Sequence, residues 1–262
     1  MTPYLAYFKM AFKQKAAYRV DWFLGVLNNC IQIFISIAIW KALYGQNTVI
    51  KGVDFSMVVT NFILSLGLSN VLFTDDLAIR RKLGDGSIAN ELLKPIDYRK
   101  ILLANNLGEI VYKLISNFIP SLMIASLVFE ILPPVGEKEI LFYIISIILG
   151  FGVLWSLSLI VQMAAFWIIN VWSLSTIKNV FVSVLSGAAL PLWFMPQPIL
   201  KIIKYTPFES IYHTPIRIYL GELGGYDVGM SLVKQLIWIT LLYSISSVMW
   251  HYGKKKIILQ GG

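Results

Sequence analysis

At 262 residues, 57% of them hydrophobic and 14% charged, with a mean hydropathy of +0.72, the chain has too little polar surface for a soluble domain, and a polytopic membrane protein follows. Its net charge of +8 comes from basic residues that flank apolar runs, which fits orientation in a bilayer and argues against nucleic acid as a partner. The single cysteine, Cys30, excludes an intrachain disulfide and a thiolate metal cluster.

The first segment, Thr2–Val20, sets Tyr4, Phe8 and Phe12 against Lys9 and Lys13, as in a helix lying on a membrane interface, although Lys15 and Arg19 spoil the apolar stripe. A spanning helix needs about 20 mostly apolar residues, and six stretches qualify. Trp22–Leu43 is the first; it is full length with no small-residue cleavage site after it, so no cleavable signal peptide is expected. Asn28, Asn29 and Gln32 interrupt it near its middle or outer half, where they touch either a transported molecule or a neighbouring helix. Val53–Phe73 is the second.

The loop Thr74–Asn106 follows, with "DDLAIRRKLGDGSIANELLKPIDYRK" at Asp75–Lys100. Gly84 and Gly86 break a helix there, with Asp85 in the turn. Ser87 then starts a short helix with Glu91 in its early turns, Lys94 near its end and Pro95 as its stop. Ile88, Leu92 and Leu93 make an apolar edge. Two readings are open: a loop that only satisfies the positive-inside rule, or a docking helix for a partner's groove.

The third span is Leu107–Leu132, carrying Asn117 and Pro120; the fourth, Leu141–Ile169, is longer than a bilayer needs and must tilt or emerge. The fifth is Thr176–Phe194, where the small residues of "LSGAAL" suit helix packing. In Met195–Ser231, Pro191 just before it and Pro196, Pro198 and Pro207 within it break the helix, and "PILKIIKY" is far too short to span. A second short piece, Glu209–Leu220, is interrupted by Pro215. The pair reads either as a hairpin dipping into the outer leaflet or as an amphipathic loop on the headgroups. Leu232–Trp250 is the sixth span. With the N-terminus inside, 15 of the 22 Lys and Arg residues fall on the inner side, so both termini are expected in the cytoplasm.

Chemistry is scarce. No Gly-rich phosphate loop is present, the two histidines (His213 and His251) fall on opposite faces, and no acidic residue lies in a span core. No catalytic residue and no metal site are therefore expected.

Three pieces in order, "RRKLGDGSIANELLKPIDYR" at Arg80–Arg99, "GAALPLWFMPQPILKIIKYTPF…TPIRIYLGEL" within Gly187–Leu223 and "HYGKKKIILQGG" at His251–Gly262, resemble the permease subunits of ABC-2 type ABC exporters. The resemblance covers essentially the whole chain. It implies an all-α polytopic fold of six transmembrane helices after an amphipathic connecting helix (2–20), a cytoplasmic coupling loop (74–106) that sits on an ATPase, and a re-entrant outer segment (195–231) after span five, all in one transmembrane domain over 1–262. It further implies that Gly84, Gly86, Ile88, Glu91, Leu92, Leu93, Lys94 and Pro95 form the coupling element, and that Pro191, Pro196, Pro207, Pro215 and Gly221 form the outer cap. Two ABC ATPase subunits per complex, holding ATP and Mg that this chain does not bind, and a second permease, either a related chain or another copy, are the implied partners in a bacterial plasma membrane. Lipids, amphipathic drugs or antimicrobial peptides suit an apolar cleft. A secondary transporter or channel is the alternative, and it predicts transport without nucleotide. An intramembrane enzyme would need convergent catalytic groups that the sequence lacks; a purely structural assembly subunit stays open.

Overall fold

A computed structural model describes residues 3–260, so Thr2 of the expected interfacial helix and Gly261 and Gly262 at the end of the C-terminal piece lie outside the described residues. In chain order the elements are α1 (Pro3–Ala16), α2 (Arg19–Tyr44), a hairpin of β1 (Val49–Ile50) and β2 (Val53–Asp54), α3 (Phe55–Val71), α4 (Ala78–Gly84), α5 (Ile88–Leu92), α6 (Tyr98–Lys113), α7 (Ile119–Val128), α8 (Glu137–Ala164), α9 (Val171–Leu185), α10 (Gln197–Ile203), α11 (His213–Tyr219) and α12 (Gly225–Gln260). Among the described residues the hairpin is the one departure from helical regular structure. It pairs Val49 with Asp54 and Ile50 with Val53, and its register is set by a two-residue turn in which Lys51 and Gly52 both take positive φ.

Among the described residues four helices are long and apolar enough to cross a membrane: α2 from Val20 to Tyr44, α6 running into α7 from Tyr98 to Val128, α8, and α12 from Gly225 to Lys256. The outward faces of these helices are apolar, with Ile31, Leu127, Ile148 and Ile237 all exposed. The remaining apolar helices, α3 and α9, have 17 and 15 residues. At 1.5 Å per residue α9 is only about 22 Å long, short of a hydrocarbon core of about 30 Å. The protein rather than lipid covers most of α3, whose residues from Val58 to Val71 are largely buried.

The expected boundaries shift for local reasons. The fifth apolar helix begins at Val171 rather than Thr176 because Asn170 caps it, its Oδ1 accepting from the Ser173 amide at 3.4 Å. It ends at Leu185 rather than Phe194 because Gly187 turns the chain in the left-handed region at φ +84° and Pro191 follows. The third expected span begins earlier, at Tyr98, and passes through a π-helical turn at Leu114–Phe118. Pro120 explains that turn: it has no amide hydrogen to give the Ser116 carbonyl, and the Trp22 indole on α2 donates to that carbonyl instead, at 2.5 Å.

α1 lies along α6 with Ala11 and Phe8 against Gly108, and Phe12 meets Tyr112 edge-on. The aromatic face of this helix is therefore turned to protein, and Lys9 and Lys13 stay exposed. Lys15, which interrupts the stripe in the sequence, pairs with Glu109 of α6 at 3.5 Å. The α4–α5 segment, the turn from α8 to α9, and the end of α12 gather at one end of the bundle, where Arg80 donates to the Ile169 carbonyl and Tyr98 stacks on Trp250. The β-hairpin, the α7–α8 link and the α9–α12 link form the other end.

Candidate functional site

The loop between α3 and α6 is anchored at its start by a buried charge cluster. Thr74 and Asp76 follow α3, and the Asp76 carboxylate accepts from Lys178 Nζ of α9 at 2.8 Å, from Ser175 Oγ of α9 at 2.6 Å, from Ser158 Oγ of α8, and from Thr74 Oγ1 at 3.3 Å. Lys178 also donates to Thr74 Oγ1 at 3.1 Å. The side chains of Lys178 and Asp76 are only 6% and 2% exposed. A buried pair of this kind persists only when its remaining hydrogen-bonding capacity is met, and three hydroxyls meet it here. The cluster ties the start of the loop to both α8 and α9. The sequence shows Asp76 and Lys178 as ordinary flanking charges 102 positions apart, and only the fold brings them together.

The middle of the loop is held equally firmly. Asp85 accepts from the Ser87 amide at 2.9 Å and the Ser87 hydroxyl at 2.6 Å, which makes an Asx-turn before α5 in place of a Ser87 side-chain cap. Ile88 is buried and packs in a core with Ile79, Tyr98, Trp155, Leu159 and Phe166, and Leu92 packs on the same core. Glu91 receives Lys94 Nζ at 2.6 Å and Lys82 Nζ at 3.2 Å, which locks α5 to its own end and to α4. Burial pushes the Glu91 carboxyl up, but the two lysine hydrogen bonds outweigh it and hold the group below the usual carboxylate range. Lys94 reaches Tyr7 Oη of α1 at 3.3 Å, and Tyr4 Oη of α1 accepts from the Asp97 amide at 3.3 Å.

The exit is fixed too. Asp97 caps α6 by accepting from the Arg99 amide at 3.0 Å, and Arg99 crosses to Ser247 of α12 at 3.0 Å. Asp97 is pushed up by burial and drawn down further by Arg99, so it ends below its ordinary value.

Of the eight residues expected to couple to a partner, then, Ile88 and Leu92 face the protein, and Glu91 and Lys94 are engaged within the chain. Gly84, Gly86, Leu93 and Pro95 are exposed, and Leu93 presents 83% of its surface. Ala89 and Asn90 share that outward face. The apolar edge seen in the sequence is thus split, because Ile88 and Leu92 lie one turn apart on the inward side of so short a helix.

The polar residues of α2 do not form a free group. Asn70 of α3 donates through Nδ2 to Asn29 Oδ1 at 2.5 Å and to Gln32 Oε1 at 3.1 Å, and Gln32 Nε2 donates to Asn28 Oδ1 at 3.3 Å. Asn29 is buried and Asn28 exposed. Asn70 is one residue from the end of α3, so this contact lies toward the α4–α5 end of the bundle rather than in the far half of α2.

At the opposite end, the chain from Ser186 to Gly224 folds back into the bundle. Asn61 and Ser65 of α3 donate to the carbonyls of Gly187 and Ala188 at 3.5 and 3.4 Å. Gln235 of α12 donates to the Ser210 carbonyl at 2.8 Å and to the Ser146 carbonyl of α8 at 3.0 Å. Gly150 of α8 lets the Ile211 carbonyl come so near that a Cβ would sit 2.6 Å from it. The turn at Ile211 and Tyr212 packs against Leu68, Val71 and Leu154, deep in the bundle.

The expected cap residues take distinct places in this segment. Pro191 and Pro196 precede short helical turns, Pro207 starts the turn at Phe208–Ser210, and Pro215 is buried in the first turn of α11. Gly221, at φ +71°, closes α11 against Val135 of the α7–α8 link. Arg217 and Trp193 both donate to Glu222, at 3.0 and 3.2 Å, and Lys234 pairs with Glu209 at 3.0 Å.

The family described as "ABC-2 family transporter protein" matches residues 30–261. No curated protein matches the chain.

Proposed function

Since the chain belongs to the ABC-2 family of transporter proteins and is thereby an ABC transporter permease, we propose that it is the transmembrane subunit of an ATP-driven exporter. In this reading it crosses a bacterial plasma membrane six times, through α2, α3, α6–α7, α8, α9 and α12, with both termini in the cytoplasm. Two separate ATPase subunits and a second permease complete the assembly. The α4–α5 segment is the coupling element, and the folded-in segment 195–231 caps the path at the outer side. Asn28, the member of the α2 polar group left exposed, is the candidate to face the path. An apolar, weakly charged interior suits lipids, amphipathic drugs or antimicrobial peptides as cargo.

The observation that carries this reading is the anchoring of α4–α5. The loop is joined to α1, α8, α9 and α12 by Lys94, Asp76, Lys178 and Arg99, while Leu93 points outward unsupported. A segment so fixed transmits a push from a partner to several helices as a rigid unit, and an 83% exposed leucine has no internal role. Six crossings are supported by the geometry of the bundle, in which α1 and the end of α12 lie at the same end as α4–α5. The short α3 and α9 are then completed by their neighbours, with α3 enclosed and α9 continued by the folded-in segment.

The test is co-purification of an ATPase with wild type and Leu93→Asp. The variant is expected to keep its thermal stability and to lose the ATPase; an unchanged complex with unchanged transport would remove the docking assignment. Cargo movement in vesicles without nucleotide would instead favour a secondary transporter.

A further inference from the structure

The turn from α8 to α9 presents an apolar surface at the end of the bundle where α12 finishes. Trp167 and Ile168 are exposed there, Trp172 is 65% exposed and Ile169 82%. The end of α12 is pressed onto this turn: the Trp250 and Phe166 rings lie 5.8 Å apart between centroids, and a Cβ on Gly253 would overlap the Phe166 ring. Three successive lysines follow, each over an aromatic ring. Lys254 stands over Trp250 at 5.5 Å, Lys255 over Tyr252 at 5.6 Å, and Lys256 over Trp167 of the turn at 5.7 Å. Arg80 of α4 joins the same turn, its Nε donating to the Ile169 carbonyl at 2.9 Å. Exposed apolar side chains and cations therefore share one surface.

The cations on this surface are not neutralised. Among the described residues no carboxylate pairs with Lys254, Lys255, Lys256 or Arg80, while Glu91, Asp97, Asp75, Asp76 and Glu109 are each committed to other lysines and arginines. A ring beneath an ammonium fixes its position and leaves N–H groups free for a stronger acceptor. The depth is also defined. Trp250 ends the apolar part of α12, and Lys254 follows four residues later, about 6 Å along the axis. The head-group layer on each side of a hydrocarbon core is roughly 5–8 Å deep, so the lysines stand at the level of lipid phosphates.

We propose that this surface, built by the α8–α9 turn and the end of α12, binds an anionic phospholipid. The phosphate meets Lys254–Lys256 and the free N–H groups of Arg80, and the acyl chains cover Ile169 and Trp172. A free anion would satisfy the lysines and leave those two side chains bare; a zwitterionic lipid would cover them and leave the positive charge unbalanced. The occupied surface ties α12 to the α8–α9 turn and, through Arg80, to α4. The proposal concerns the membrane around the chain rather than its cargo, so it stands or falls separately from coupling to an ATPase.

The full chain in detergent micelles is titrated with phosphatidylglycerol and, separately, with phosphatidylcholine. Bound lipids are counted by native mass spectrometry, and the thermal midpoint is followed in parallel. Phosphatidylglycerol should bind more tightly by about tenfold or more, since each lysine near a lipid surface contributes about fivefold. Changing Lys254, Lys255 and Lys256 together to Gln should abolish that preference, whereas Lys201→Gln with Lys204→Gln at the opposite end should keep it. Salt at about 1 M should erode it as well. Ile169→Gln with Trp172→Gln, which leaves the lysines in place, should loosen phosphatidylglycerol by about tenfold. If the two lipids bind equally to wild type, the surface is left to an acidic protein partner and the proposal fails. It fails equally if the triple variant keeps the preference, or if the Ile169 and Trp172 variant binds as wild type does. Glycerol 3-phosphate should not raise the thermal midpoint; an effect equal to that of phosphatidylglycerol would mark a site for free phosphate and overturn the lipid assignment.

Discussion

Replacing Lys178 by methionine removes the only cation from the cluster around Asp76 and keeps the length of the side chain. Both partners are almost wholly buried, with side-chain exposures of 6% and 2%, so solvent screens their interaction little. Breaking such a pair from one side costs about 3–5 kcal/mol, chiefly because the other charge is left buried without its partner. Asp76 would still accept from Ser158, Ser175 and Thr74, which places the expected loss near the lower limit, about 3 kcal/mol. The double variant Asp76→Asn with Lys178→Met leaves no orphaned charge, and it should recover most of that loss. The assay is reversible unfolding in mixed micelles, run as a double-mutant cycle. A loss below about 1 kcal/mol in Lys178→Met, or a double variant no more stable than the single one, would refute the clamp. If the proposed coupling role holds, a reconstituted complex carrying the single variant should show ATP hydrolysis by its ATPase partner with little transport, because the loop is no longer fixed to α8 and α9.

Other outcomes follow from the same contacts. Gly150→Ala should destabilise by roughly 1–3 kcal/mol and displace the Ser210–Ile211 turn, measured by unfolding and by proteolysis of the α9–α12 link, since its Cβ would press on the Ile211 carbonyl. Trp22→Phe leaves the Ser116 carbonyl in the π-helical turn without its donor and should cost about 1 kcal/mol in the same unfolding assay. Glu91 and Asp97 both titrate below their ordinary values, so their stabilisation is complete above the ordinary carboxylate range and lost as pH falls through the lowered values. Acidification through that range should therefore loosen α4–α5, seen as faster amide exchange there, and Glu91→Gln should remove its share of the effect. An impermeant amine reagent should reach Lys204 and Lys255 from opposite sides of the membrane; labelling from the same side would overturn the six-crossing topology.

How much of this was legible in the residues differs by feature. The apolar runs, the loop with its glycines and Pro95, and the proline-broken segment after the fifth run are local patterns, and each appears in the structure within a few residues to about ten. The break at Pro120 was visible as a residue, but the π-helical turn depends on Trp22, 94 positions from Ser116. Ile88, Leu92 and Leu93 looked equivalent as an apolar edge. In a helix of five residues, the face each one takes is chosen by the neighbouring core, so Leu93 alone was left outside.

Hydropathy along the chain was sufficient by itself to specify a helical membrane protein, its polar loops and its basic end, because transfer of each side chain between water and hydrocarbon is a local quantity. Residue patterns also carried the family resemblance over nearly the whole chain. Only the tertiary structure decided which polar residues work together. Asp76 with Lys178, Asn29 with Asn70, and Ser146 with Gln235 are distant in sequence and unremarkable one at a time. Their energetics arise from desolvation at a shared position, and that position exists only once the helices have packed.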